Sequence, residues 1–419
     1  MRVTRPFFGW WVTLAFALMV FLSSGLRFTV GPFLKPIVGD LGIDRASFSL
    51  VISISMFLYG AFMPFVGHLV DRFGARPVMV AGTLVLSGAV AGTGWVTSFW
   101  QFGLVYGVGA ALGLAASGHV VASAVVSRWF TRRRATALSL IGGASMAGMS
   151  LMVPIAMWLI LAIGWRATYQ VFGLAILVLV MPLALWVVRE SPEAMGLTPD
   201  GVPPSAGTVR ASGTERTPVG VAAQTRPFWQ LCGGMYCCGF SMSLLAAHGV
   251  PMLTDHGYAD MTASWALGLL GGTSMGFTML LGMIADRLGR RPVLAWLYGT
   301  RAALFGALFL IHDHPVALLV VAGLGGASMS GSLAMTSALT ADLFGRFSVG
   351  SVFGSIFVVH QAGAALGSWL GGVLFEATGG YGAVFTVACA QLVVAAVLSL
   401  AIDERGQCAP RLFPAAQET

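Results

Sequence analysis

The chain is 419 residues long, 57% of them hydrophobic and 9% charged, with a formal net charge of +7. Soluble domains carry roughly 25% charged residues, so this composition excludes a water-soluble enzyme and fits about twelve membrane-crossing helices of roughly 20–25 residues. The 55 glycines match the excess expected where membrane helices pack closely.

The first apolar stretch, 8–34, is too long for a removable leader and lacks a small-residue cleavage site. Spans follow at 46–70, 77–97, 100–125, 136–162 and 167–188. Residues 190–226 are polar and rich in Pro, Gly, Ser and Thr, as in Pro199-Asp200-Gly201-Val202-Pro203-Pro204-Ser205, and read as a flexible linker. Six more spans lie at 228–253, 263–285, 292–311, 315–340, 348–375 and 381–402. All are expected to be helices, because a span in lipid must satisfy its own backbone. The expected fold is an all-α integral membrane protein of twelve helices, with six-helix halves at 1–189 and 227–419. Cys232, Cys237, Cys238, Cys389 and Cys408 show no metal-ligand spacing, and no metal or cofactor is expected.

The halves repeat each other. Gly67-His68-Leu69-Val70-Asp71-Arg72-Phe73-Gly74-Ala75-Arg76-Pro77 returns 215 residues later as Gly282-Met283-Ile284-Ala285-Asp286-Arg287-Leu288-Gly289-Arg290-Arg291-Pro292. Arg5-Pro6-Phe7-Phe8 returns as Arg226-Pro227-Phe228-Trp229, and Gly107-Val108-Gly109-Ala110-Ala111 as Gly323-Leu324-Gly325-Gly326-Ala327. Gly67 and Gly282 are expected to let a neighbouring helix approach, and Asp71 and Asp286 to pair with nearby arginines or cap a helix. With both termini in the cytoplasm, 18 of the 23 basic residues fall on that side and only Lys35, Arg45 and Arg166 on the other. The positive-inside rule therefore favours cytoplasmic termini. The net charge then reports topology and requires no nucleic-acid partner.

The two loops resemble the signature loop of the major facilitator superfamily, each lying between the expected spans. Three further segments are similar to its monocarboxylate transporter-like branch: Phe8-Gly9-Trp10-Trp11 opening span 1, Trp129-Phe130-Thr131-Arg132-Arg133-Arg134-Ala135 entering span 5, and His248-Gly249-Val250-Pro251 ending span 7. The resemblance covers nearly the whole chain. It implies two rocking halves with a substrate between them near the midplane. Two departures stand out. Arg5 lies where an acidic residue usually precedes the span 1 motif, and Ser274 and Thr278 fall where animal members carry an Asp/Arg pair. The closer likeness is to bacterial oxalate/formate-type carriers.

An ionisable group in hydrocarbon costs at least about 2.5–3.5 kcal/mol and is a functional candidate by default. All 16 acidic residues fall in loops, tails or span ends, which leaves Arg27, His119, His248, Arg301 and His360. A guanidinium grips a carboxylate through two parallel hydrogen bonds, so Arg27 is the expected anchor for an anion, against the plainer reading of an arginine snorkelling to the interface. His248 occupies the repeat position of Arg27, and the resemblance implies a second anchor near His360. Either could hold a carboxylate or a proton, or simply pack. For His119 and Arg301 a packing role is the stronger expectation. Phe33, Tyr59, Tyr106 and Phe357 are aromatic candidates for the cavity wall.

The expected function is secondary transport of a small organic anion, a monocarboxylate by resemblance, with protons or a second anion as the coupling partner. The expected form is a monomer in the inner membrane of a bacterium. A drug/proton antiporter is the first rival, but span 5 lacks a Gly-Pro pair and no acid lies within a span. A non-transporting membrane sensor is the second.

Overall fold

A computed structural model describes residues 7–130, 133–189, 191–198, 217–311, 314–329, 331–345 and 349–403. Among them every regular element is helical. The first half holds α1 (Phe8–Phe28), α2 (Val30–Leu41), α3 (Arg45–Phe73), α4 (Ala75–Thr93), α5 (Phe99–Phe102), α6 (Ala111–Ser117), α7 (His119–Trp129) and α8 (Arg134–Trp186). A short α9 (Val219–Ala222) lies within the predicted linker. The second half holds α10 (Arg226–Asp255), α11 (Asp260–Leu288), α12 (Arg290–Leu310), α13 (Pro315–Gly325), α14 (Gly331–Phe344), α15 (Val349–Thr378) and α16 (Gly382–Leu400).

Among the described residues, ten helical segments are long and apolar enough to cross a membrane. One of them, Thr136–Trp186, covers two predicted spans, because Gly164 (φ 81°, ψ 160°) turns the chain back inside α8. The eighth predicted span is α11, a 29-residue helix outside those ten. The arrangement is consistent with the twelve spans expected.

The repeat is visible in backbone geometry. Gly74 (φ 88°, ψ 161°) ends α3 and starts α4, and Gly289 (φ 89°, ψ 155°) does the same between α11 and α12. A side chain at such positive φ meets its own backbone, so these two glycines fix the turn of each signature loop. The expected role of Gly67 is corrected here: a Cβ there would meet nothing within 4 Å. Asp71, Asp286 and Gly282 lie in helices, but their side chains are outside the described residues. Arg72, Arg76 and Arg287 are exposed, and Arg72 lies over the ring of Phe73. Arg290 pairs with Asp342 and donates to the carbonyl of Ala338, which ties the second loop to α14.

Two of the motifs that suggested the family branch pack on each other. Trp129 and Phe130 are buried, and Phe7, Phe8 and Trp10 close around them at centroid distances of 4.8–5.9 Å. The Trp129 indole also donates to the carbonyl of Arg189. Aromatic pairs at such distances add about 0.5–1.5 kcal/mol each beyond burial. The knot ties the start of α1 to the turn before α8. Arg133 is exposed, Arg132 lies outside the described residues, and the side chain of Arg134 is likewise undescribed.

The core divides into two clusters, one built almost wholly from residues of 12–188 and the other from 222–402. They meet along a seam where α3 faces α15, α8 faces α11 and α2 faces α10. The seam is tight at the end away from the termini. There a Cβ on Gly31 would lie 2.8 Å from the Ala246 carbonyl, and one on Gly268 would lie 2.6 Å from the Ser150 carbonyl. One on Gly372 would meet the backbone of Arg45. Towards the termini the approach is looser: Gly67, Gly142, Gly276 and Gly354 have no neighbour within 4 Å of a built Cβ, while one on Gly143 would lie 3.7 Å from Met275 across the seam.

Candidate functional site

Arg27 sits in the last turn of α1, just before the junction with α2 at Thr29. Its guanidinium lies 4.7 Å from the centroid of the Tyr59 ring, and its Nε donates to Sδ of Met56 at 3.4 Å. Tyr106, buried, is within electrostatic reach. Among the described residues no carboxylate pairs with Arg27. A guanidinium over an aromatic face is held by about 0.5–2 kcal/mol, but that contact leaves most of its five N–H donors free for a planar anion.

Met56 joins Arg27 to the other half. Its carbonyl accepts from Nε2 of Gln361 at 3.2 Å, and Oε1 of Gln361 lies 2.9 Å from Nδ1 of His360. Gly60 makes this crossing feasible, since a Cβ there would sit 2.8 Å from that of Gln361. His360 is 4% exposed, its ring stacks on Phe357 (5.1 Å, 7°), and it lies within hydrogen-bond reach of the Cys238 thiol. Arg27 and His360, two of the three residues expected to bind substrate, thus belong to one chain of contacts across the seam.

His248, the third, is elsewhere. It is fully buried at the tight end, where its Nε2 lies 2.9 Å from the Ser368 carbonyl and 3.2 Å from Oγ of Ser49 in the first half. Nδ1 lies 3.2 Å from the Tyr381 hydroxyl. One neutral tautomer fits: Nε2–H donates to the Ser368 carbonyl, with Oγ of Ser49 as a second, longer acceptor of the same hydrogen, and Nδ1 accepts from tyrosine. The Tyr381 hydroxyl in turn accepts from Arg45 at 2.8 Å. Arg45 reaches Asp255 at 2.6 Å and stacks 3.8 Å over Phe375, while its amide donates to Glu376 at 2.9 Å. Lys35 joins the same Asp255 at 2.7 Å. Lys35, Arg45 and Ser49 belong to the first half; His248, Asp255, Glu376 and Tyr381 belong to the second. The set is a latch across the seam.

The α3 side of the latch is locally braced. Asp44 caps α3 by accepting from the Ser47 amide at 2.7 Å. Hydrogen bonds from the Ser47 hydroxyl and amide hold its carboxyl below the usual carboxylate range.

Arg301 is fully buried in α12. It donates to the carbonyls of Ser328 and Met329, where the tenth span breaks between α13 and α14, and to Sγ of Cys238 at 3.1 Å. Ser274 is buried, the side chains of Thr278 and His119 lie outside the described residues, and Phe33 stacks on Tyr169 in the first core. Sequence reasoning missed Met56, Gln361, Tyr381 and the pairing of Arg45 with Asp255. The available signal for that pair was charge: few basic residues fall on that side, and all of them lie in the first half.

The profile of the Major Facilitator Superfamily matches residues 16–246 and 230–411. An MFS-type transporter of Bacillus subtilis (strain 168), YcxA, is 28% identical over 95% of this chain and 96% of its own. The oxalate:formate antiporter of Oxalobacter formigenes is 22% identical over 95% of this chain and 92% of its own. Human monocarboxylate transporter 2 is 25% identical over 94% and 85%. Among solved structures, a bacterial homologue of the human lysosomal transporter Spinster, inward-facing and occupied, superimposes with a TM-score of 0.72 at 16% identity, covering 95% of this chain and 97% of that one.

Proposed function

The chain belongs to the major facilitator superfamily, in the branch of the oxalate:formate antiporters and monocarboxylate transporters, and from that premise we propose that it carries a small organic anion, a monocarboxylate, by alternating access. It is a multi-pass membrane transporter and not an enzyme. The observation that carries the anion reading is Arg27: a guanidinium at a helix junction on the seam, stacked on Tyr59, with no carboxylate to neutralise it among the described residues. A bidentate carboxylate is the partner that such a group lacks.

His360 completes the site from the other half. Its Nδ1–H donates to Gln361, so Nε2 is the atom that takes a proton and, once protonated, donates to an anion; the Met56–Gln361 contact joins the halves beside it. His248, with both ring nitrogens engaged, is assigned to the latch and not to the anion. The coupling partner is a proton held at His360 or a second anion exchanged at Arg27.

The halves are taken as 1–189 and 227–419 with the linker 190–226 between them, in a bacterial inner membrane with both termini cytoplasmic. On that orientation the latched end faces outwards. Relatives that are named for oxalate:formate exchange and for monocarboxylate transport support the substrate class.

Counterflow in proteoliposomes tests the reading without assuming a coupling ion. Vesicles preloaded with unlabelled pyruvate, lactate, formate or oxalate should accelerate entry of the labelled counterpart for at least one of them. Folded protein that shows no counterflow with any carboxylate would overturn it.

A further inference from the structure

The latch sorts its charges by half. Lys35 and Arg45, both from the first half, share one carboxylate of the second, Asp255, at 2.7 and 2.6 Å. Glu376, also of the second half, takes the Arg45 amide. The first half has two acids at this end, and both are turned elsewhere: Asp40 pairs with Arg166 at 2.9 Å, and Asp44 caps its own helix. By sequence the second half carries Asp255, Asp260, Asp313 and Glu376 at this end and neither Lys nor Arg. Separating the halves therefore frees two cations on one wall and leaves a wall of carboxylates opposite.

The freed cations point the way to Arg27. Lys35 lies eight residues beyond Arg27, or about 12 Å along a helix. Arg45 begins α3, the helix whose Met56 touches Arg27. Beside the latch, a cavity of about 180 Å³ already lies between the halves, lined by Lys35, Gly31 and Met157 on one side and Val250, Thr254 and Asp260 on the other. It has room for a small carboxylate next to the Lys35 ammonium.

Building on the anion reading, we propose that Lys35 and Arg45 form the outer capture site for the substrate's carboxylate, and that Asp255 is its resident stand-in. When the end is shut, Asp255 occupies the two cations. When it opens, the substrate takes them and passes down to Arg27; on its departure Asp255 returns and the latch re-forms. The same two cations serve both states, so substrate occupancy and closure of this end compete. The surplus of positive charge lies on one wall only, which confines the incoming anion to the side that carries Arg27.

Initial uptake of the best-exchanging labelled carboxylate into right-side-out membrane vesicles tests this, with Lys35→Gln, Arg45→Gln and Asp255→Asn compared at saturating and limiting substrate. A charged cleft raises local ion concentration at least about tenfold. Lys35→Gln and Arg45→Gln should therefore raise KM about three- to tenfold and flatten its increase with ionic strength. Asp255→Asn removes the competitor and should lower KM. A latch that only held the halves together would respond alike to losing either partner of the Arg45–Asp255 pair. KM shifts of the same sign in Arg45→Gln and Asp255→Asn, or an unchanged KM and salt dependence in Lys35→Gln, would overturn the proposal. Failure of the anion reading itself is distinct: wild-type protein would then show no carboxylate counterflow at all, and the capture site would fall with it.

Discussion

Nε2 of His248 lies 3.2 Å from Oγ of Ser49, 199 residues away and on the opposite wall of the seam. The contact exists only while the two halves are drawn together at that end. His248→Ala removes it together with the Ser368 and Tyr381 bonds, each worth about 0.5–1.5 kcal/mol. The shut end should open more often. Spin labels at Gly39→Cys and Ala259→Cys, both exposed at this end, would report it as a longer, broader distance distribution than in the same pair with His248 intact. An identical distribution would remove His248 from the latch.

Arg27→Gln should lose saturable carboxylate uptake by at least about tenfold, because a shorter, neutral amide lacks the charge-assisted bidentate grip. Arg27→Lys should recover part of it as a point charge. Protein yield and thermal stability should stay near wild type. Unchanged uptake kinetics in Arg27→Gln would exclude the residue as the anchor.

His360→Gln separates binding from coupling. If the imidazole carries the proton, the variant should still exchange anions but no longer accumulate them under an imposed pH gradient. Accumulation that persists would place the coupling proton on another group.

Arg301→Met should destabilise by about 3–5 kcal/mol, since it strips the donor from two buried carbonyls at the break in the tenth span. Expression and melting temperature should fall, while the KM of surviving protein stays unchanged. A changed KM with normal stability would move Arg301 from scaffold to site.

Gly74→Ala and Gly289→Ala should each cost about 1–2 kcal/mol, the penalty for a Cβ at positive φ. Gly67→Ala, at an open position, should cost little. Melting curves of the three variants would check the order. Equal losses would show that the first glycine of the loop matters for a reason other than its own backbone.

The large-scale fold was legible in the sequence because hydropathy and repetition are local signals. Spans, loops and the equivalence of Gly74 with Gly289 could all be read along the chain. The aromatic motifs were legible as motifs but not as partners: nothing in Phe7-Phe8-Gly9-Trp10 announces that it closes on Trp129-Phe130. The site was legible by half. Arg27 and His360 stood out as ionisable groups inside spans, whereas Met56 and Gln361, which join them, have no such mark. His248 was singled out by analogy within the repeat. Its position matches that of Arg27, but α10 runs on as one helix where the first span breaks at Thr29, and the imidazole ends up against Ser368 and Ser49. Arg45 and Asp255 lie at span ends, where charge is ordinary, and only the pairing across 210 residues gives them meaning.

A shut end made from cations on one wall and carboxylates on the other is a fit between unlike surfaces. Although the halves repeat each other in sequence and in backbone, neither could substitute for the other there: two first halves would face lysine with arginine, and two second halves would face aspartate with glutamate. The duplication has become a complementary pair, so a half made alone should not assemble with itself at this end, while separately expressed halves should still recognise each other.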